Sequence, residues 1–366
     1  MTQRSLVSHD WQEIVDRLGG AAALSESARE KKAFLRSRLI ENPVDLLRTV
    51  LAYCLGGGGL RSTASWAASV GLADISNVAL LNRLRRCGDW FEFLVGEALA
   101  AGAPKASQGR LIRLIDATTV PKASKEDRSK NGLWRIHSAF DLPSERFGHF
   151  ELTDEKGGER LDRIPVVKGE IRIGDRAYLQ AGRMAPVLDA GADIVVRAPW
   201  KGASWRDVND EPLDLIAVLE NGAAAGVIDQ PIGIGRKSAT TLNLRLVAVR
   251  KPPEAIEAAK RTARRNAQRE RHKISKETLI ACEWVILVTS LDVDDFSTDD
   301  VLDLYRLRWR IELAFKRLKS LIGLKGPPGK HPDSARPYIL AHLLLILILE
   351  PVIDEFEDSP HWDEAA

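Results

Sequence analysis

Tyr305, Arg308, Glu312 and Lys319 recur along Tyr-Arg-Leu-Arg-Trp-Arg-Ile-Glu-Leu-Ala-Phe-Lys-Arg-Leu-Lys at a spacing that would keep them together on a helix. At about 100° per residue the four fall within an arc of roughly 60°. Leu307, Ile311, Ala314, Phe315, Leu318 and Leu321 gather elsewhere on the helix, where they can pack. A phenol, a guanidinium, a carboxylate and an ammonium aimed in one direction suit phosphate and metal chemistry. The competing expectation is a solvated amphipathic helix in which Arg308 and Glu312 form an i,i+4 pair.

Two further carboxylates bear on that choice. Asp116 stands in Ile-Asp-Ala-Thr-Thr at the end of an alternating segment, and Asp175 follows a short apolar segment in Gly-Asp-Arg-Ala-Tyr. Singly, Asp116 reads as a strand-end cap and Asp175 as an ion-pair partner of Arg176. Together with Glu312 they would give the bridging and terminal oxygen ligands that two divalent metal ions roughly 3.5–4 Å apart require. Mg2+ is the usual occupant of a carboxylate and water site, with Mn2+ the alternative. Such a site serves in-line phosphoryl transfer, in which the protein contributes geometry more than acid–base groups.

The elements that must position these residues follow from the hydrophobic pattern. Residues 1 to about 105 read as helical, with amphipathic stretches at Asp10–Leu18, Val44–Leu55 and Asn77–Arg86 and a break at Gly56–Gly59. Within them, Leu60–Trp90 has the layout of a helix-turn-helix: a short helix, a turn at Gly71, and Ser76 as N-cap of a helix bearing Arg83 and Arg86. Ordinary helical bundles share that layout. From Arg110 the texture changes to three strands (110–120, 134–142 and 147–153), then a strand at 170–173, a helix at 179–190 and a strand at 193–198. Three antiparallel strands followed by strand, helix and strand is the order of a ribonuclease-H-like sheet. Pro199–Cys282, with β-prone segments and the basic run Pro253–Arg271, reads as a mainly β insertion before a strand at Trp284–Ser290. The expected fold is therefore α/β: a helical N-terminal region (1–105), a catalytic domain in two parts (106–198 and 283–325) around an insertion (199–282), and a C-terminal helix with an acidic tail (326–366).

The totals set limits on partners. The chain has 366 residues, three scattered cysteines (Cys54, Cys87 and Cys282) and a net charge of +2. The odd cysteine count and wide spacing argue against a disulfide framework or a zinc site. From Glu350 onward there are seven acidic residues and no Lys or Arg, which leaves +9 on the rest of the chain. Ten Lys or Arg lie between Arg250 and Lys276, among them Arg264 and Arg265, where they could track a DNA backbone or simply face water. The N-terminus lacks an apolar signal core, and the apolar run Tyr338–Leu349 is short for a membrane span. A soluble cytoplasmic protein is expected, with no membrane partner.

Asp116, Asp175 and Glu312, in this order and with the Tyr305, Arg308, Glu312, Lys319 spacing, resemble the DDE transposases of bacterial insertion sequences. The closest resemblance is to the group with a Tyr-Arg-Glu-Lys signature, here called the insertion-sequence-four family. The resemblance implies a bacterial, nucleoid-associated enzyme that cuts and joins double-stranded DNA at transposon terminal inverted repeats. It implies metal binding by Asp116, Asp175 and Glu312, and phosphate contacts by Tyr305, Arg308 and Lys319. Trp284 stands where family members keep a tryptophan that stacks on a flipped base, although a Trp opening an apolar strand is commonly core; Trp309, beside Arg308, is the other candidate platform. A homodimer on paired DNA ends is implied, and the chain is short after Lys325 compared with relatives that dimerise there. The readings weighed against it are a ribonuclease-H-fold nuclease without strand transfer and a catalytically silent DNA-binding relative. His137 and Asp141 are expected to be a hydrogen-bonded pair beside the site, and His342 to donate within a packed helix.

Overall fold

The computed structural model describes residues 11–101, 109–122, 133–236, 239–320, 324, 326–328 and 331–357. Its sheet is organised around β1 (Ile112–Pro121), which pairs antiparallel with β2 (Leu133–Asp141), as β2 does with β3 (Arg146–Thr153). Along its other edge β1 runs parallel to β4 (Ile171–Gly174), and β4 parallel to β5 (Asp193–Arg197). Three antiparallel strands followed by strand, helix and strand match the order read from the sequence, and the mixed α/β architecture fits a ribonuclease-H-like domain.

The sheet does not stop at β5. The remaining strands are β6 (Trp205–Arg206), β7 (Val227–Arg236), β8 (Ala239–Arg250) and β9 (Trp284–Thr289). β9 pairs antiparallel with both β5 and β8, giving one nine-stranded sheet in the order 3-2-1-4-5-9-8-7-6. The strands of the 199–282 segment thus extend the same sheet. Ile194, Val195 and Val196 of β5 are all fully buried, and an open edge beside them would leave backbone donors and acceptors unpaired.

Helices cover both faces. In chain order they are α1 (11–17), α2 (Gly20–Glu30), α3 (Pro43–Leu55), α4 (Leu60–Ser69), α5 (Asn77–Leu84), α6 (Gly88–Ala101), α7 (Ala181–Asp189), α8 (Leu215–Asn221), α9 (Pro253–Arg269), α10 (Lys276–Ala281), α11 (Thr298–Arg306), α12 (Trp309–Ser320) and α13 (Pro332–Glu357). The two-residue period of β1 sends Leu114 to one core and Ile115 to the other. Leu114, Ile136 and Ile173 pack with α2–α6 and α11–α13, whereas Ile115, Ile194 and Val288 pack with α7 and α8. The predicted caps form: Ser76 accepts from Ala79 N–H, and Ser297 and Asp300 make a reciprocal capping box that starts α11. α3 ends at Leu55 and α4 begins at Leu60, so Gly56–Gly59 is the expected break, with Gly57 at φ +67°.

α13 is apolar and long enough to cross a membrane by length and composition, yet 67% of its apolar window is buried inside the protein. Ile339, Leu340, Ala341, Leu343 and Leu344 are at most 3% exposed and pack among the helices that include α3 and α6. The Tyr338–Leu349 stretch, open to dimerisation on sequence grounds, is therefore spent on the protein's own core. His342 bonds through Nδ1 to the Tyr338 carbonyl at 2.8 Å, as expected of a packed helix.

A buried charge network braces β1, β2 and β4 beneath the sheet end. Arg113 binds Asp141 (Nε to Oδ1, 2.7 Å) and Glu170 (3.2 Å), and Arg172 donates to the other oxygen of Glu170 at 2.6 Å. Gly148 makes room for this: a Cβ there would sit 2.2 Å from Asp141 Oδ2. Arg172 also donates to the carbonyls of Leu161 and Pro165 at 2.5 and 2.6 Å, fastening the 155–169 loop to β4. Glu170 and Arg172 are both fully buried, so removing one partner strands a charge. Arg172→Ala is expected to lower unfolding free energy by about 3–5 kcal/mol. Urea denaturation followed by circular dichroism reads this directly; an unchanged midpoint would mean the network carries no stability.

Candidate active site

β1 and β4 deliver the first two carboxylates. Their parallel register pairs Leu114 with Ile173; Asp116 follows two residues on within β1 and Asp175 just past the end of β4, close enough that the Asp175 charge raises the Asp116 pKa. Asp116 Oδ1 accepts from the Ala117 N–H at 2.8 Å. Asp175 Oδ1 accepts from the Ala177 N–H at 2.8 Å, capping the short 3-10 turn Arg176–Tyr178. Asp175 is thus a cap, and among the described residues no ion pair joins it to Arg176.

Glu312 arrives from the helical side, on a helix that differs from the single one read in the sequence. α11 ends at Arg306 and α12 begins at Trp309. Between them Arg308 N–H bonds to the Tyr305 carbonyl and Arg310 N–H to the Leu307 carbonyl, i→i+3 bonds that tighten the chain into a turn. Arg308 sits at this turn and faces both acids. Its Nη2 donates to Glu312, and its Nη1 stands 3.9 Å from Asp116 Oδ2. The i,i+4 pair expected of a solvated helix therefore forms, but one guanidinium also reaches the first acid of the sheet. Tyr305 turns inward and its hydroxyl is buried without a hydrogen-bond partner. Lys319 lies on α12, and its side chain falls outside the described residues.

Burial pushes the Asp116 carboxyl up to about 6; Asp175 and Glu159 add to the shift, while the Ala117 N–H and Arg308 oppose it. Burial likewise raises the Tyr178 phenol well above its usual range, with Asp116, Glu159 and Asp175 reinforcing it. Like charges crowded at one sheet end make a place where a cation is favoured. The donors are hard oxygens, which suit Mg2+ or a similar divalent ion. Asp116 and Asp175 fit such an ion; Glu312 is 55% exposed and held by Arg308. Among the described residues no three acids, histidines or cysteines stand together as a ready metal cluster. Completing a three-carboxylate site thus requires Glu312 to exchange its guanidinium partner for the ion.

The remaining candidates separate by exposure. Trp284 is 2% exposed and lies in the second core, so its ring offers no face to a base. Trp309 is 54% exposed next to Arg308. Arg264 and Arg265 are exposed on α9, remote in sequence from the acids. Arg86 is exposed at the end of α5, whereas Arg83 is half-buried and donates to the Arg36 carbonyl at 3.1 Å. His137 and Asp141 do not pair: His137 Nε2 bonds Thr153 Oγ1 at 2.9 Å, and Asp141 is taken by Arg113. Both lie on the face of β2 shared with Arg113, Ile115 and Ala117 of β1, opposite the side on which Asp116 projects, and separate partners meet them there. Burial, with Arg163 and Arg135 nearby, lowers His137 to about 4, so the ring is neutral at pH 7.

Sequence reasoning missed the groups around the acid pair. Tyr178, three residues after Asp175, is 1% exposed with an unpartnered hydroxyl toward Asp116, Glu159 and Asp175. Beside it opens a cleft of about 510 Å³ lined by Arg135, Lys156, Arg160, Arg163 and Arg183 along with Glu159. The only trace of this in the sequence was the Tyr of Gly-Asp-Arg-Ala-Tyr; the arginines come from β2, the 155–169 loop and α7.

A family model described as the transposase DDE domain matches residues 107–347. InsL, provisionally named the transposase of insertion sequence element IS186A in Escherichia coli K12, is 36% identical over 361 residues, 96% of each chain. The transposase for insertion sequence element IS421 of Escherichia coli is 36% identical over 362 residues, again 96% of each.

The raised Asp116 value carries a pH signature. Between 3.8, its ordinary value, and about 6 the folded protein keeps a proton that the unfolded chain has released. Stability of the metal-free protein therefore falls as pH rises through that window, and the penalty is complete above it. It amounts to at most about 3 kcal/mol. Asp116→Asn is expected to stabilise the EDTA-treated protein at pH 7.5 and to flatten its stability between pH 4 and 6. Urea midpoints across that range test it, and a destabilised variant with an unchanged profile would refute the assignment.

Proposed function

The chain belongs to the DDE transposase family, and we propose that Asp116, Asp175 and Glu312 are the acids with which it cuts DNA at its element's terminal inverted repeats and joins those ends to target DNA. It is a DNA transposase, an enzyme of phosphoryl transfer whose family implies a divalent metal; we assign that role to Mg2+, two ions held by the three acids. When bound, the ions supply a nucleophilic oxygen at neutral pH and charge stabilisation of the leaving oxygen. The single observation that supports this assignment best is the side-by-side placement of Asp116 and Asp175, with Arg308 linking Asp116 to Glu312.

The chain's own groups have separable tasks. Asp116 within β1 and Asp175 just after β4 are fixed by backbone N–H bonds, so their oxygens are oriented before DNA arrives. Arg308, released from Glu312 as the site fills, is free to fork onto a phosphate of the terminus. Lys319 is assigned to a phosphate beside it, and Tyr305, whose hydroxyl is buried, would reach one only by turning outward. Trp309 is the exposed ring suited to stack on an unpaired terminal base. Arg264 and Arg265 of α9 are assigned to the DNA backbone, where each neutralised phosphate steepens salt dependence. The working assembly is taken as a homodimer on paired ends in the bacterial cytoplasm, with 1–105 as the DNA-binding region, 106–198 and 283–325 as the catalytic parts, 199–282 as the insertion, and 326–366 as the C-terminal helix and acidic tail.

The test is cleavage of duplexes carrying the DNA that flanks the coding region, with Mg2+ or with EDTA. Metal-dependent nicking at the terminus is expected in the intact protein and at least a thousandfold less in Asp116→Ala and Glu312→Ala. Both variants should still bind the ends. Nicking without joined products would identify a nuclease, and end binding without any nicking a silent relative. Cleavage that survives Glu312→Ala would remove Glu312 from the site.

A further inference from the structure

The N-terminal helices enclose a cleft of about 490 Å³ whose charged lining residues are all arginines. One wall is α5, which presents Asn82, Arg83 and Arg86. The other is the non-helical segment between α2 and α3, which presents Leu35, Arg36, Arg38 and Leu39. Both ends of that segment are anchored: Ala33, Phe34 and Ile40 are buried, and Ile40 makes a β-bridge to Ala73 in the turn before α5. The tip between them is exposed, with Leu35 58% and Leu39 56% accessible. Arg83 ties the walls together, donating to the Arg36 carbonyl at 3.1 Å with its guanidinium 5.4 Å from the Phe34 ring centre. Burial and the neighbouring charges of Arg86 and Arg38 lower the Arg83 pKa, a sign of uncompensated positive charge.

We propose that this is a two-groove duplex DNA site: α5 enters the major groove, the segment 35–39 enters the adjacent minor groove, and the cleft between them straddles one sugar–phosphate ridge. The proposal rests on the transposase reading and adds to it a second reading element. Groove dimensions match the two walls. A major groove about 12 Å wide admits a helix, and a minor groove about 6 Å wide admits side chains from a narrow loop. The segment 35–39 is such a loop, bent at Arg38, whose N–H bonds to the Ile40 carbonyl at 3.3 Å. Between any such pair of neighbouring grooves stands one backbone, whose phosphates meet an arginine-lined cleft. In the minor groove Arg36 and Arg38 would respond to its width and negative potential, which deepen over A·T-rich sequence. Leu35 and Leu39, apolar and unburied beside them, have the chemistry of wedges that lean on base steps. Arg83 then acts as a positioning residue that sets the distance between the walls.

The experiment is fluorescence anisotropy of the full-length protein on duplexes carrying the element's ends. The variants are Arg36→Ala/Arg38→Ala and Leu35→Ser/Leu39→Ser, and thermal melts check that each is folded. The arginine pair is expected to cost at least tenfold in affinity. Guanine-to-inosine replacement, which alters the minor groove alone, should change wild-type affinity and leave the arginine variant indifferent. Netropsin, a minor-groove ligand, should compete with the wild type more strongly than with that variant. Wild-type-like affinity of the arginine variant, or no effect of inosine and netropsin, would overturn the proposal, as would absent wild-type binding to these ends. A leucine-dependent dimer in sedimentation without DNA would also overturn it, by giving the face to a second copy. These outcomes are independent of the metal-dependent nicking above, so failure of the minor-groove contact and failure of the three-acid assignment are read on different assays.

Discussion

A carboxylate buried beside a second one, as Asp116 is beside Asp175, is held toward its protonated form unless positive charge is close by. The parallel pairing of β1 with β4, followed by the turn that Asp175 caps, brings the Asp175 charge near Asp116. The rest of the local structure answers it. Backbone N–H groups hold one oxygen of each acid, and Arg308 approaches Asp116 from the helical layer. Arg308 supplies positive charge here, sharing its guanidinium between Asp116 and the exposed Glu312. A tighter, fully buried ion pair would cost more to break than a divalent ion could easily repay.

Rigidity behind the acids comes from a different set of charges. Arg113, Arg172, Glu170 and Asp141 are buried together and pair with one another and with backbone carbonyls, leaving Glu170 Oε2 held by charge alone, with Arg113 at 3.2 Å. Such a network is costly to leave half-paired, so it fixes the relative height of β1, β2 and β4 and the course of the 155–169 loop. That loop carries Glu159 and much of the basic cleft beside the site. The buried core network and the placement of the cleft's basic side chains are therefore joined through Arg172.

The extension of the sheet through β9 has a comparable logic. β5 is apolar on both faces and would be exposed as an edge; β9 covers it and then leads, through the capping box at Ser297, into α11 and the turn that carries Arg308. The segment 199–282 is consequently joined to the catalytic layer by strand pairing rather than by a linker. α13 performs the matching task on the other face, where its apolar residues close the core shared by the N-terminal helices and the sheet.

Local pattern determined much of this. The alternation of 110–120, the caps at Ser76 and Ser297, the break at Gly56–Gly59 and the order of strands around Asp116 and Asp175 are all short-range properties, set by side-chain period, capping chemistry and turn residues. The three acids proposed for the site and Arg308 were singled out on the same ground, since their spacing is a property of one strand, one turn and one helix. Only the tertiary structure decided what those elements meet. Trp284 and Trp309 look alike as sequence, and burial alone makes one core and the other exposed. The break between α11 and α12 has no Pro or Gly to announce it; it is seen only in the i→i+3 bonds at Arg308 and Arg310. His137 and Asp141 share a strand face, but their partners come from β3 and β1. Tyr178 and the arginines of the cleft converge from separate elements. Long-range pairing, which no local window contains, places those groups around the acids.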